Sequence, residues 1–361
     1  TGDVLAMASW PDFDPNRLAS DPSPRRNRAL ESEVEPGSVL KPFTLASALE
    51  EGVVTLDTVL DVENGAWRVP GAVIHDVHPA SRLSAANIVV YSSNIGASKL
   101  AHRVGAERFL ARLQAFGFGE RTGISLPAER KGILRDPSTI RPVELATTSF
   151  GQGMTATTLQ LALATAALGN DGVRMKPRLV SRIEDVHGIP EWSSRPEAVG
   201  RVVSPEVARA VVDTMVRVTA PGGPAPLGRV PGIDVAGKTG TAQKAAPGGY
   251  GDQHVSSFIA LAPAERPSLA VAVIVDSPSR GRNSGASVAA PVASHILAEG
   301  LRHTGGIDTD VRVATLPDAP LTAPDGMEAA TIPGTSVRIA PDLRDKTLRD
   351  AVVALQDAFA L

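Results

Sequence analysis

The sequence predicts an α/β fold in which an antiparallel sheet is flanked by helices and a helical subdomain is inserted. Three observations lead to this prediction. A short apolar strand, Val4 to Ser9, opens the chain, and a large middle part has mainly helical spacing of its apolar residues. From Pro231 the period changes to that of strands, and three predicted strands precede an alanine-rich helix.

The predicted helices are marked by their apolar spacing and by the residues at their ends. The first follows the turn Pro36-Gly37, and Gly52 closes it. Ser204-Pro205-Glu206 begins another, because a serine cap, a first-turn proline and an acidic residue stand together there. Helical composition also covers Leu83 to Val104 with a break at Tyr91 to Asn94, Ala106 to Phe116, and Thr157 to Leu168.

The predicted strands fall into two groups. Residues 61–79 carry Asn64-Gly65 and Pro70-Gly71 turns between short β-like pieces, which predicts an excursion that contains a hairpin. The terminal sheet is predicted from Ile233 to Gln243, Val255 to Leu261 and Leu269 to Val275, followed by a helix from Ala286 to Leu301. Alanine makes that helix small enough to pack closely on the sheet.

We assign residues 1–303 to one domain and residues 304–336, rich in Pro, Gly, Asp and Thr, to a linker. Residues 337–361 follow as part of a small second module with one strand and one helix. The chain opens inside what resembles an interior strand, so we expect a fragment that lacks its natural N-terminus. No apolar run approaches the ~18–20 residues of a membrane span.

Composition excludes several classes of function. The net charge is −3 and no long basic run occurs, so nucleic-acid binding is not expected. The absence of cysteine excludes disulfides and thiolate metal sites. The histidines show no ligand spacing, and we expect neither a metal nor a cofactor. Gly151-Gln152-Gly153 lacks the glycine spacing of a dinucleotide site and is interpreted as a plain loop.

The chemistry is predicted from the pattern Ser38-x-x-Lys41. A serine hydroxyl is a poor nucleophile until a base removes its proton, and residues three apart share one helix face. Ser38 is predicted at the N-terminal end of the first helix, where backbone N–H groups favour a developing oxyanion. Alone the pattern is weak, because a serine cap and a surface lysine are the commoner explanation.

Two further patterns follow in order, Ser92-Ser93-Asn94 at a helix–helix turn and Lys238-Thr239-Gly240-Thr241 in the first strand of the terminal sheet. Lys41 must be neutral to accept a proton, and burial or a second cation such as Lys238 would lower its pKa. A strand bearing Thr239 and Thr241 can pair with an extended peptide. Each of these two patterns alone is more often a turn or a strand end. The prediction of an active site therefore depends on all three patterns occurring together in this order.

The three patterns together resemble the signature of serine β-lactamases and penicillin-binding proteins. Val34 to Leu49, Leu83 to Ala101, Ser149 to Gly172 and Val235 to Pro291 look like the transpeptidase domain of a class B penicillin-binding protein. Residues 92–100 resemble the division type (FtsI-like), and residues 337–355 are similar to the opening of a PASTA module. The resemblance implies the penicillin-binding/serine β-lactamase-like transpeptidase fold.

The resemblance also implies roles for individual residues. Ser38, Lys41, Ser92, Asn94 and Lys238 would be catalytic, with Ser38 forming an acyl-enzyme. Thr239, Gly240 and Thr241 would bind substrate, and Gly240 would let the strand approach it closely. The backbone N–H groups of Ser38 and Thr241 would form the oxyanion hole.

The implied reaction is D,D-transpeptidation of peptidoglycan stem peptides ending in D-Ala–D-Ala, with covalent inhibition by β-lactam antibiotics. A D,D-carboxypeptidase and a β-lactam sensor without turnover remain open alternatives. A class A β-lactamase is disfavoured because no Glu-x-x-x-Asn occurs between the second and third patterns. A pure peptidoglycan-binding module would need neither Lys41 nor Lys238.

The resemblance finally implies partners and a location. The partners would be a polytopic FtsW-type glycosyltransferase and other division proteins. The domain would act outside the cytoplasm, on the periplasmic side, anchored by an N-terminal membrane helix that precedes this sequence.

Overall fold

The computed structural model of the chain describes residues 1–14, 21–246, 249–278 and 283–305. The helices among them are α1 (Arg28–Glu31), α2 (Lys41–Glu50), α3 (Ala85–Val90), α4 (Asn94–Val104), α5 (Ala106–Ala115), α6 (Pro142–Thr148), α7 (Thr158–Gly169), α8 (Pro205–Thr219) and α9 (Ala289–His303). The strands are β1 (Val59–Asp61), β2 (Ala66–Val69), β3 (Ala72–His75), β4 (Arg82–Ser84), β5 (Val173–Met175), β6 (Arg182–Glu184), β7 (Pro190–Ser193), β8 (Ala198–Arg201), β9 (Ala236–Ala246), β10 (Gly249–Ala262) and β11 (Leu269–Asp276). None of the described helices is both long and apolar enough to cross a bilayer.

A three-stranded antiparallel sheet in the order β11–β10–β9 organises the C-terminal part of the described chain. Helix α9 packs against β10 and β11, α8 against β9, and α7 against β11. The predicted antiparallel sheet with flanking helices is therefore confirmed. Strand β9 pairs only with β10 among the described residues, so its other side is an edge.

The helical block is built around α2, which packs against α4, α5 and α8. Phe43 is completely buried there, and its ring meets those of Phe116 and Phe118 edge-on, at centroid distances of 5.0 and 5.3 Å. Burial of one such ring stabilises the fold by about 1.5–3 kcal/mol. This packing fixes α2, and with it the residues at the N-terminal end of α2.

The predicted helix starts are confirmed by hydrogen bonds that cap them. Ser93 Oγ accepts from Gly96 N at the start of α4, and Ser204 Oγ accepts from Val207 N at the start of α8. Thr157 and Gln160 form a reciprocal capping box at α7. These contacts satisfy N–H groups that have no partner within the helix.

The excursion at residues 61–79 contains the predicted hairpin, which is formed by β2 and β3 with Ala66 opposite His75 and Val69 opposite Ala72. Strand β3 contacts α4. The hairpin therefore lies against the helix that begins at the second pattern. A separate hairpin of β6 and β7 belongs to a second compact unit, of which residues 180–195 are described.

The predicted strand Val4 to Ser9 is wrong. The isolated bridge between Asp3 and Arg178 lies just before this segment, and Val4 and Met7 pack on a small cluster of buried side chains instead. No neighbouring strand offers it a row of backbone partners, so its apolar character reflects packing and not sheet pairing. The predicted linker beyond Gly305 and the module at 337–361 lie outside the described residues, and the domain boundary stays a prediction.

Candidate active site

The first pattern lies where a 3₁₀ turn, Gly37–Leu40, runs directly into α2. Ser38 is in the turn and Lys41 is the first residue of α2, so one short helical stretch carries both. Lys41 Nζ lies 2.9 Å from Ser38 Oγ, and the lysine side chain is only 1% exposed. The predicted nucleophile and base are therefore within hydrogen-bond distance.

The second pattern surrounds the same amine. Ser92 lies between α3 and α4 with φ +63°, a left-handed conformation that is uncommon outside glycine. Lys41 Nζ is 2.6 Å from Ser92 O, 3.1 Å from Ser92 Oγ and 2.8 Å from Asn94 Oδ1. A neutral amine can donate to the carbonyl oxygens of Ser92 and Asn94 and still accept the proton of Ser38.

The third pattern reaches the site from β9. Lys238 is also 1% exposed, and its Nζ donates to Ser92 Oγ at 3.1 Å and to Thr239 O at 2.9 Å. The Ser92 hydroxyl consequently lies between the two lysine amines, 3.1 Å from each. It can accept a hydrogen bond from one amine while it donates to the other.

Burial of both lysines lowers their pKa values. For Lys41 the pKa falls well below its usual 10.5, because the side chain is desolvated and because Lys238 repels its positive form; Asp76 opposes this in part. For Lys238 desolvation lowers the pKa to about 7. Neutral lysine is thus accessible near neutral pH, as the sequence prediction requires.

The substrate-binding prediction falls on the edge strand β9. Thr239 and Gly240 are opposite Phe258 and Ser257 on β10, and Thr241 Oγ1 accepts from Gly285 N at 3.1 Å. A Cβ on Gly240 would overlap Ser257 Oγ and lie 2.8 Å from Pro36 O. The missing side chain therefore lets the strand pack against the turn that carries Ser38, a reason different from the predicted close approach of a ligand.

The two predicted oxyanion-hole residues come from neighbouring elements. The 3₁₀ turn that contains Ser38 contacts β9. A Cβ placed on Gly37 would lie 3.7 Å from the carbonyl carbon of Thr241. The turn and the strand are thus adjacent at the residues predicted to supply the two N–H groups.

Sequence reasoning missed the residues that hold the Ser38 turn. Gly37 N donates to Gly151 O at 3.0 Å, and a Cβ on Gly151 would overlap the Gly37 backbone. The Glu35 carboxylate accepts from Gly153 N at 2.7 Å and from Tyr250 Oη at 3.3 Å. Burial and the Glu35 charge raise the pKa of Tyr250 to about 12. The loop Gly151-Gln152-Gly153, interpreted from the sequence as a plain loop, therefore holds the turn that contains the predicted nucleophile.

A second omission is Asp76, which follows β3 and contacts the second pattern. Its only signal in the sequence is its place just after a predicted hairpin, which identifies no partner. Among the described residues no group of three His, Cys, Asp or Glu side chains could hold a metal ion.

The family model, the curated relatives and the solved structures that match this chain all belong to one family. The model of the penicillin-binding protein transpeptidase domain matches residues 1–298. Peptidoglycan D,D-transpeptidase FtsI of Escherichia coli K12 is 35% identical over 313 residues, which cover 86% of this chain and 51% of the relative. This chain spans about half the length of the curated relatives that it matches most strongly.

Two solved structures confirm the predicted transpeptidase fold. The apo transpeptidase domain of penicillin-binding protein 3 from Burkholderia pseudomallei is 35% identical with a TM-score of 0.71, covering 78% of this chain and 82% of that one. Penicillin-binding protein 3 from Mycobacterium tuberculosis, complexed with aztreonam, is 32% identical with a TM-score of 0.71, covering 77% and 64%.

Proposed function

The chain belongs to the penicillin-binding protein transpeptidase family, and on that premise we propose that it is a serine-type peptidoglycan D,D-transpeptidase. Ser38 attacks the carbonyl between the two terminal D-Ala residues of a stem peptide, and the terminal D-Ala leaves. An amine of a neighbouring strand then attacks the acyl-enzyme and completes the cross-link. The observation that carries the proposal is the buried Lys41 amine, 2.9 Å from Ser38 Oγ.

In the acylation step, neutral Lys41 takes the Ser38 proton as Oγ forms its bond to the carbonyl carbon. The lowered pKa of Lys41 makes the neutral form available. The resulting oxyanion would be stabilised by the N–H groups of Ser38 and Thr241. In other enzymes, loss of one such donor costs about 2.7–4 kcal/mol of barrier.

The leaving D-Ala nitrogen needs a proton, and Ser92 is suited to deliver it. Its hydroxyl lies 3.1 Å from the Nζ atoms of both Lys41 and Lys238. A proton on Lys41 can therefore pass through Ser92 to the leaving amine, and the reverse path removes a proton from the acceptor amine. Asn94 holds the Lys41 amine in place through the 2.8 Å contact.

An extended stem peptide would bind along the edge of β9, at Thr239, Gly240 and Thr241. Among the described residues no strand pairs with β9 on that side, so β9 can add the peptide as a further strand. Lys238 offers a cation near the start of this stretch. β-Lactams would acylate Ser38 as mimics of the same peptide, and the aztreonam complex of the Mycobacterium tuberculosis protein supports this part.

The wider setting is also a proposal. The resemblance of residues 92–100 to the division type supports a role in septal cell-wall synthesis, beside an FtsW-type glycosyltransferase and other division proteins. Because the substrate lies outside the cytoplasm, the domain would act on the periplasmic side, held by a membrane helix. Residues 304–336 would link it to a PASTA-like module that begins at residue 337.

The test is turnover of a defined stem pentapeptide in the presence of a peptide amine acceptor, followed by mass spectrometry of the products. We expect release of D-Ala together with a cross-linked product, and neither with the Ser38→Ala variant. If the pentapeptide were only hydrolysed to the tetrapeptide, without a cross-linked product, the protein would be a carboxypeptidase. A stable penicillin adduct without peptide turnover would indicate a sensor, and rapid hydrolysis of penicillin would indicate a β-lactamase.

A further inference from the structure

We infer that Asp76 is a positioning residue for the reaction, which holds the turn Ser92-Ser93-Asn94 so that Ser92 and Asn94 grip the Lys41 amine. The inference rests on the proposed function and adds a residue from outside the three sequence patterns. Asp76 touches neither Ser38 nor the substrate edge of β9 through any described hydrogen bond. It would act through the turn.

Both carboxylate oxygens of Asp76 are engaged by this turn. Oδ2 accepts from Ser93 Oγ at 2.5 Å, while Oδ1 accepts from Asn94 N at 2.5 Å and from Ile95 N at 3.0 Å. The residue is only 8% exposed. A buried carboxylate at the first N–H groups of a helix is a strong and directional anchor. Asp76 therefore fixes where α4 begins.

The residue before Asp76 fixes the orientation of the Asn94 amide. His75 O accepts from Asn94 Nδ2 at 2.9 Å. Because an amide donates through its nitrogen and accepts through its oxygen, this contact directs Oδ1 toward Lys41 Nζ, 2.8 Å away. The end of the hairpin thus holds both the backbone and the side chain of Asn94.

Ser92 explains why such an anchor is needed. Its left-handed backbone is strained for a residue with a side chain, and such a conformation persists only where the surroundings determine it. Ser93, the next residue, is held on two sides, by Ile88 O through its backbone N–H and by Asp76 through its hydroxyl. The strained conformation presents both the carbonyl and the hydroxyl of Ser92 to Lys41.

The charge of Asp76 has a second effect on Lys41. Two charged groups act on the amine, Lys238 from β9 and Asp76 from the hairpin end. The positive charge of Lys238 lowers the pKa of Lys41, and the negative charge of Asp76 raises it. A base whose pKa falls too far accepts protons poorly, so Asp76 keeps Lys41 basic.

The test compares penicillin acylation rates of Ser38 from pH 5 to pH 9 in wild type, Asp76→Asn and Ser93→Ala. Asparagine keeps the shape and an acceptor oxygen but loses the charge. We expect an acylation rate about ten- to a hundredfold lower, with the acidic limb of the pH profile moved to lower pH. Ser93→Ala keeps the charge but loses two contacts of the Ser93 hydroxyl, the one to Asp76 and the one from Gly96 N. We expect a smaller loss, about tenfold, with the limb unmoved.

Asp61→Asn is the matched control, because Asp61 is an exposed aspartate of the same excursion that accepts from a nearby backbone N–H, that of Glu63. It should match wild type. If a folded Asp76→Asn variant had the wild-type acylation rate and the wild-type acidic limb of the pH profile, the inference would be overturned. If Asp76→Asn does not fold, Ser93→Ala decides, and a wild-type rate in that variant would overturn it. Wild-type protein that forms no adduct would instead refute the proposed function.

Discussion

At the scale of single residues, the chemistry depends on the surroundings of the Lys41 amine. It has four oxygen neighbours within 3.1 Å, more than the hydrogens of either its neutral or its charged form. Neutral Lys41 can donate two hydrogen bonds and accept one, so it bonds to three of the four oxygens at a time. The 2.9 Å distance between Lys41 Nζ and Ser38 Oγ fits the proposed transfer of a proton between them.

Lys41→Arg tests this role directly. Arginine keeps a cation but cannot accept a proton near neutral pH, so we expect acylation by penicillin to fall by about 10²–10⁴-fold. The second-order acylation rate gives the result, and the thermal unfolding midpoint reports whether the larger side chain is accommodated. A wild-type rate in a folded variant would mean that another residue is the base, with Lys238 the next candidate.

Lys238→Met should stabilise the protein while it impairs the reaction. The pKa of Lys238 is about 7 in the folded state against 10.5 for an ordinary lysine. Below about pH 7 the lysine is charged in both states and its burial cost is complete. Between these two values the unfolded state binds more protons, so wild-type stability rises with pH until the cost vanishes above about 10.5.

We therefore expect Lys238→Met to gain on the order of a few kcal/mol of unfolding free energy at pH 7, and less at pH 10, in urea titrations. Loss of the neighbouring cation also raises the pKa of Lys41, so the acidic limb of residual acylation should move to higher pH. This is opposite in sign to Asp76→Asn. A variant that is destabilised equally at both pH values would contradict the account.

At the scale of elements, the turn that carries Ser38 depends on a neighbouring loop. Gly37 and Gly151 both have positive φ, +61° and +80°, and their backbones are in direct contact. Gly151→Ala would add backbone strain and push a methyl group into Gly37. We expect a loss of stability above about 1 kcal/mol and slower acylation, measured by urea unfolding and by penicillin labelling.

Gly71→Ala is the control for this substitution. Gly71 has φ +91° at the tip of the β2–β3 hairpin, with open space where a Cβ would lie. The Gly71→Ala variant should therefore be destabilised by backbone strain only and should keep the wild-type acylation rate. Equal effects of the two substitutions on acylation would show that contact between Gly151 and Gly37 does not hold the turn.

The sequence was sufficient for features that depend on local spacing. The cap at Ser204, the hairpin turn at Pro70-Gly71 and the three motif patterns all follow from residues a few positions apart. Asp76 and Gly151 could not be predicted, because their partners are 17 and 114 positions away and only packing brings them together. The opening segment was misassigned for the same reason, since a strand requires a partner that local sequence cannot reveal.

At the scale of the whole molecule, the site lies where the helical block meets the sheet. Lys41 comes from α2, Ser92 and Asn94 from the α3–α4 junction, and Lys238 from β9. Neither the helical block nor the sheet contains all of these residues by itself. The residues can be recognised in the sequence, but only the tertiary structure brings both lysine amines within 3.1 Å of the Ser92 hydroxyl.

The predicted C-terminal module should be dispensable for the chemistry. A chain truncated after Gly305 keeps α9 and Thr304, whose N–H donates to Gly300 O at the end of that helix. We expect its acylation rate to stay within about twofold of full length, because the predicted linker separates the module from the domain. A large loss would mean that residues beyond 305 support the active site.

Peptide mapping of the penicillin adduct shows directly whether Ser38 forms the proposed acyl-enzyme. We expect one equivalent of penicilloyl mass on the peptide that contains Ser38, and no adduct in Ser38→Ala. Label on a different serine, or label retained by Ser38→Ala, would contradict the proposal.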